Sequence, residues 1–518
     1  MSAKAFRPGV ALAVTCLGIF VISLDLTIVN VALPTLSRRL GASNAELQWI
    51  VDAYSLTTAA LLLSAGNLGD RYGRRGWLNI GLAIVAVTSV MAACADSAAS
   101  LIAARAAMGI GAAIIYPTSL ALISNMFDGA RRARAIGVWA AMTGIGIVVG
   151  PIAGGWLIES VSVGSVFWLN VPIALVAIAG ATLFVPTSRN PVRTSIDLWG
   201  LLLSAAGLAV LTFTLIEGPG AGWLSGRTFT GFALAAVLLA AFLRQERRSP
   251  FPMLDLSIFA DRRFAGGSIA VTTCYLTLCG FVFVMTHYLQ FVTTYTPLQT
   301  GVRLLPLAVS VAAASVAAPR LAQRWGTTFV ITAGLVVYAA AIAWSGTFNA
   351  ATPYLEIGAT MAMLGAGCGF TMAPATEAIM GSLSPATAGV ESAVAGATRQ
   401  VGGTLGVALI GSVYASVYSH RLNDRTTAAD ISPDVRASLR GSMAEAEKVL
   451  GQLPAGTGRL VRGVVESAFL DAVWASCLAC AGVAVALAVV VAIVLPGNAE
   501  PASQRRPAAP AEGIRQAL

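Results

Sequence analysis

The chain has 518 residues, of which 57% are apolar and only 11% charged, and its mean hydropathy is +0.77. A water-soluble fold of this length must present far more charge to solvent, so that class is excluded and a chain facing lipid is indicated. A net charge of +9 then fits basic loops at one membrane face rather than nucleic-acid binding, and seven cysteines confined to apolar stretches offer neither a disulfide framework nor a zinc cluster.

About 20 apolar residues cross a bilayer as a helix. On that basis the predicted spans are 10–34, 48–68, 77–95, 100–124, 133–157, 164–185, 197–217, 228–243, 264–290, 298–318, 327–346, 353–376, 393–415 and 470–495, fourteen in all. The fold class is therefore all-α and integral to the membrane. The first apolar run carries Asp25 and no small-residue cleavage site, so it reads as a retained span rather than a signal peptide. With residues 1–9 in the cytoplasm, the inner loops collect Arg71, Arg74, Arg75, Arg131, Arg134, Arg247 and Arg263, whereas the outer loops offer little beyond Arg38, Arg39 and Arg227. This excess of inner arginine predicts a protein of the cytoplasmic membrane with both termini in the cytoplasm.

Residues 10–185 form a first six-helix half, 186–250 two additional linker helices, and 251–415 the first five helices of a second half. The polar stretch 416–469 is expected as an extracytoplasmic loop. Within it Ser432-Pro433-Asp434 supplies a helix start, and Val435, Leu439, Met443 and Val449 form the apolar stripe of a short amphipathic helix. The last span, 470–495, leads into a tail, 496–518, whose Ala, Pro and Arg content predicts disorder.

The loop after the second span reads Gly66-Asn67-Leu68-Gly69-Asp70-Arg71-Tyr72-Gly73-Arg74-Arg75. It closely resembles the signature loop of the major facilitator superfamily, which implies a cytoplasmic latch between two six-helix halves. Pro319-Arg320-Leu321-Ala322-Gln323-Arg324-Trp325-Gly326 reads as a decayed copy of the loop, as an internal repeat requires. Three further stretches resemble the fourteen-helix drug:proton antiporters of the EmrB/QacA type. These are Leu24 to Pro34 in the first span, Arg105 with Gly109 and Gly111 in the fourth, and Gly146 to Gly155 in the fifth. The last matches the motif associated with antiport. Gly146, Gly150 and Gly154 recur every four residues as a smooth packing face, Pro151 bends the helix, and Gly155 completes the run. Such a helix suits the sliding interface of two rocking halves.

The charges inside the predicted spans are the candidates for coupling. A carboxylate at the bilayer centre costs about 2.5–3.5 kcal/mol even on lenient insertion scales. Asp25 is therefore a candidate to carry a proton, to pair with a cationic substrate, or to bind a neighbouring helix. Arg105 either joins in proton coupling, as the resemblance implies, or snorkels to the interface. His287 is the only histidine within a span; a proton relay and a packing role are both open. Glu217 and Glu356 fall near outer ends of spans, where solvation explains them. Trp49, Tyr54, Tyr116, Trp139, Phe283 and Tyr288 are candidates to line a permissive cavity, or else face lipid.

No phosphate-binding G-x-x-x-x-G-K-[ST] loop, H-E-x-x-H or G-x-S-x-G occurs, so neither an ATP-driven pump nor a membrane enzyme is indicated. The expected activity is proton-coupled export of lipophilic, drug-like or antibiotic molecules, without cofactor, by a monomer whose partners are substrate, protons and lipid. A dedicated exporter of one natural product and a proton-coupled uptake symporter are the alternatives.

Overall fold

The computed structural model describes residues 8–127, 129–188, 197–249, 256–380, 388–428 and 455–495, with Leu439 and Ala446. These residues are helical apart from short connections, because a backbone crossing lipid must satisfy its polar groups within the segment. In chain order the helices are α1 (Pro8–Leu40), α2 (Asn44–Tyr72), α3 (Arg74–Ala93), α4 (Ala98–Met126), α5 (Gly129–Ser160), α6 (Ser165–Trp168), α7 (Asn170–Phe184), α8 (Leu198–Ala221) and α9 (Gly226–Arg248). They continue as α10 (Arg262–His287), α11 (Pro297–Arg303), α12 (Leu305–Trp325), α13 (Thr327–Ser345), α14 (Tyr354–Met380), α15 (Ala388–Ala428) and α16 (Ala455–Val494).

Helix starts carry the expected chemistry. Ser43 and Glu46 form a capping box at α2, Asp261 accepts the backbone N–H groups of Arg263 and Phe264 at α10, and Thr296-Pro297 opens α11. Among the described residues, twelve helical stretches are long and apolar enough to cross a bilayer. The two other expected spans coincide with α2 and α5, helices of 29 and 32 residues.

The two halves repeat one packing plan. In the first, α1 packs on α5 and α7, α4 on α2 and α3, and α3 on α7; in the second, α10 packs on α15 and α16, α14 on α12 and α13, and α13 on α16. The halves meet where α2 lies against α15 and α5 against α11, which are corresponding pairs exchanged by a pseudo-two-fold axis. The motif loop and its decayed copy are structural equivalents. Gly73 and Gly326 are each the single residue between two helices, with φ of +107° and +88°, a region that penalises any Cβ. The pair α8 and α9 packs on itself and leans through α8 on α2 and α15.

The expected loop 416–469 needs correction. Helix α15 runs on to Ala428 and α16 begins at Ala455, so much of that stretch is helix. Arg421 and Arg425 pair with Asp471 at 3.3 and 2.9 Å and tie the two helices together. The segment expected to hold the amphipathic helix lies outside the described residues, except for Leu439 and Ala446, both buried. The tail 496–518 lies outside them as well.

Candidate functional site

Asp25 and Arg105 come together in the interior of the first half, 1% and 0% exposed. Glycines make the approach possible. A Cβ at Gly109 would collide with Thr57 of α2, and one at Gly111 with Val85 of α3. With α4 seated that closely, Arg105 forms an ion pair with Asp25 and donates through Nε to the Ile50 carbonyl at 3.0 Å. Its guanidinium carbon lies 4.4 Å from the centre of the Tyr54 ring. Asn170 of α7 donates to the other Asp25 oxygen at 2.8 Å and to Ser89 of α3 at 3.3 Å. Five helices thus converge on one neutralised charge pair, and both carboxylate oxygens are engaged. Arg105 does not snorkel.

The motif loop is a bracket within the first half. Trp77 donates to the Ala65 carbonyl at 2.8 Å, and Gly69 leaves room for that indole and for Thr118. Gly66 lies against Pro117 of α4. Arg74 reaches the Ala121 carbonyl of α4 at 3.4 Å, and Arg75 reaches the carbonyl of Val185, the C-cap of α7, at 3.3 Å, both within the same half. Arg71 lies over the Tyr72 ring. The Asp70 side chain lies outside the described residues.

The fifth-span motif divides its work. Gly146, Gly150 and Gly154 press against Ser23, Thr27 and Ile28 of α1, inside one half. Gly155 and Pro151 instead meet the other half, at Leu298 and Gly301 of α11. Contact with the other half therefore rests on Pro151 and Gly155, while the four-residue stripe holds α1 to α5. Close by, Glu159 accepts the Leu298 backbone N–H at 2.9 Å, and Gln290 donates to the Val31 carbonyl at 3.0 Å. These contacts join the halves at the end bearing the α1–α2 turn.

Between the halves lies a cavity of about 140 Å³. Its wall is mostly apolar, with Leu26, Val31, Val51, Leu278, Val282 and Val407 prominent, and Thr27, Asn30, Ser55, Tyr275 and Cys279 supply scattered polar groups. An apolar wall with a few placed polar groups has the character of a site for a small organic molecule. None of the six aromatic residues proposed from sequence lines it. Trp49 borders a second, peripheral pocket with Phe213, Glu217 and Arg227, and Tyr54 is committed to Arg105.

The Major Facilitator Superfamily model matches residues 15–407. The chain belongs to that superfamily. As a facilitator it is a multi-pass membrane transport protein and not an enzyme. It is 36% identical over 432 residues to the multidrug resistance protein Stp of Mycobacterium tuberculosis, covering 83% of this chain and 80% of Stp. It is 33% identical over 488 residues to the multidrug efflux pump LfrA of Mycolicibacterium smegmatis, covering 94% and 96%. Among solved structures, a bacterial homologue of the human lysosomal transporter Spinster, inward-facing and unoccupied, superposes with a TM-score of 0.66 at 16% identity, covering 95% of this chain and 98% of the other.

His287 stands apart from the Asp25–Arg105 pair. Its Nδ1 lies 2.7 Å from the Phe283 carbonyl and its ring sits among Phe283, Phe291 and Tyr414, a packed aromatic cluster. Glu356 accepts the Trp344 indole N–H at 2.9 Å, in keeping with an interfacial role. Three residues of this facilitator's interior escape the reading of the sequence. Asn170 and Gln48 carry no charge to draw notice. Asp52, fully buried in α2, has the same sequence signal as Asp25, an acid inside an apolar span.

Proposed function

We propose that this facilitator exports drug-like organic molecules across the cytoplasmic membrane in exchange for protons, as a fourteen-span, EmrB/QacA-type antiporter acting as a monomer with both termini inside. The single observation that carries the reading is the mainly apolar cavity bounded by both halves, with α1, α2 and α5 facing α10, α11, α12 and α15. Few directional groups line it, so it selects by size and apolarity more than by shape. Two relatives at 33–36% identity named for multidrug resistance and efflux support the substrate class. Each charge moved down the membrane potential releases about 2.3 kcal/mol per 100 mV, which drives uphill export without nucleotide. On this reading α2 and α5, helices of 29 and 32 residues, are the two crossings beyond the twelve, and an even count with arginine-rich inner loops supports both termini inside.

Ethidium efflux from energised cells tests this. Expression of the chain should lower retained ethidium, and a protonophore should abolish the difference. Efflux that persists after the proton gradient collapses would refute proton coupling. No efflux of ethidium or of other apolar drugs would refute broad specificity and favour a single-product exporter.

A further inference from the structure

Asp25 is poorly placed to exchange anything. Arg105 neutralises it, Asn170 occupies its second oxygen, and a proton delivered there would strand a buried guanidinium. Asp52 is the opposite case. It is 0% exposed, and neither of its carboxylate oxygens has a hydrogen-bond partner among the described residues. An ionised carboxylate in that condition has lost its hydration without compensation, so it holds a proton or a cation.

Its surroundings point to exchange. Val51 and Ser55 of α2, the residues just before Asp52 and three after it, line the cavity. Cys279 of α10, also in the cavity wall, lies within electrostatic reach of Asp52. Asp52 occupies the seam in which α2 runs antiparallel to α15, with Gln48 packed on Gly411 and Leu62 close to Gly396. Gln48, one turn before Asp52, is 1% exposed, and its amide oxygen and nitrogen likewise lack a partner among the described residues.

Among the described residues, charged and aromatic hydroxyl groups of the surrounding helices are engaged elsewhere. Arg105 of α4 holds Asp25 of α1, Arg399 of α15 donates to the Tyr116 hydroxyl of α4 at 3.0 Å, and Tyr414 of α15 stacks on Tyr418. Glu217 of α8 borders the peripheral pocket with Arg227, and Tyr54 lies under Arg105. Cys279 is a thiol and brings no positive charge. Among the described residues no cation pairs with Asp52, so a cation entering the cavity would supply the missing charge.

We infer that Asp52, rather than Asp25, is the carboxyl group at which a proton and an organic cation exchange, with the Gln48 amide as its neighbouring ligand. This rests on the export reading above. The empty carrier holds Asp52 protonated. A lipophilic cation enters the cavity, its charge pairs with the Asp52 carboxylate, and the displaced proton leaves through the cavity. Reprotonation of Asp52 from the opposite face releases the cation. The seam suits this cycle, because α2 and α15 belong to different halves and part when the halves rock.

The test uses the purified full-length protein in detergent. Ethidium is titrated at several pH values, and proton release is followed with an indicator dye in weak buffer. Wild type is expected to release about one proton per ethidium bound, with affinity rising about tenfold per pH unit while Asp52 is protonated in the free protein. Asp52→Asn should bind ethidium at least tenfold more weakly at pH 8 and release no proton; Asp52→Glu should restore both. Asp25→Asn protein that elutes as a single species should still release the proton. A carbodiimide reagent, followed by mass spectrometry of wild type, guards against a variant that fails to fold: it should modify Asp52 and not Asp25, and ethidium should protect. Proton release retained in Asp52→Asn, release absent in wild type, or labelling at Asp25 alone overturns the assignment while leaving proton-driven efflux by wild-type cells intact. Loss of that wild-type efflux itself would instead overturn the export reading, and the assignment with it.

Discussion

Replacing Arg105 by methionine should destabilise the first half far more than it alters any surface. The substitution keeps the length of the stem but removes the ion pair to Asp25, the 3.0 Å hydrogen bond to the Ile50 carbonyl and the contact over the Tyr54 ring. Asp25 is then left as a buried carboxylate with Asn170 as its remaining donor. Breaking a buried pair from one side costs about 3–5 kcal/mol, because the surviving charge stays desolvated. That corresponds to roughly two to four decades in a folding equilibrium constant. The second variant is Asp25→Leu with Arg105→Met, which removes both charges and should recover most of the loss, since a buried pair is often near neutral against apolar replacements. The assay is the midpoint of loss of the monodisperse detergent peak on heating, for wild type, both single variants and the double variant. A coupling of about 2 kcal/mol or more is expected. A double variant that merely adds the two single effects, to within about 0.5 kcal/mol, would show that Asp25 does not depend on Arg105, and the argument for a fixed counter-ion would fall.

Gly150→Val and Gly155→Val should part company although they lie five residues apart in one helix. The first collides with Thr27 and Leu24 of α1 inside one half and should reduce the yield of folded protein, whereas the second collides with Leu298 of the other half and should abolish efflux while leaving melting within a few degrees of wild type. Normal efflux by Gly155→Val would count against Gly155 as a moving contact. Gln290→Leu deletes the 3.0 Å hydrogen bond from the helical turn after α10 to the Val31 carbonyl, one of the ties between the halves, and should cost about 1 kcal/mol, or about a fivefold shift toward opening at that end. Thiol labelling of an engineered cysteine behind this contact would measure the shift, and unchanged labelling would exclude Gln290 as a latch.

The helices were legible because the signal for a span is local. The predicted 77–95 and 197–217 lie close to α3 (Arg74–Ala93) and α8 (Leu198–Ala221), since hydropathy alone decides where the chain can meet lipid. The same logic failed beyond residue 415. Polarity marks where a chain can leave the bilayer, not where its helix ends, and α15 continues to Ala428, with Arg421 and Arg425 meeting Asp471.

What the sequence determined by itself was the membrane class, the positions of the spans and the resemblance carried by Gly66 to Arg75. Each is written in neighbouring residues, and the first two follow from transfer out of water. What only the tertiary structure decided was the state of each buried charge. Asp25 and Asp52 look alike in sequence, each an acid in an apolar span. One finds partners 80 and 145 positions away and is neutralised, and the other finds none among the described residues. The cost of burying a charge depends on what stands within a few ångströms, and only packing brings such distant residues together.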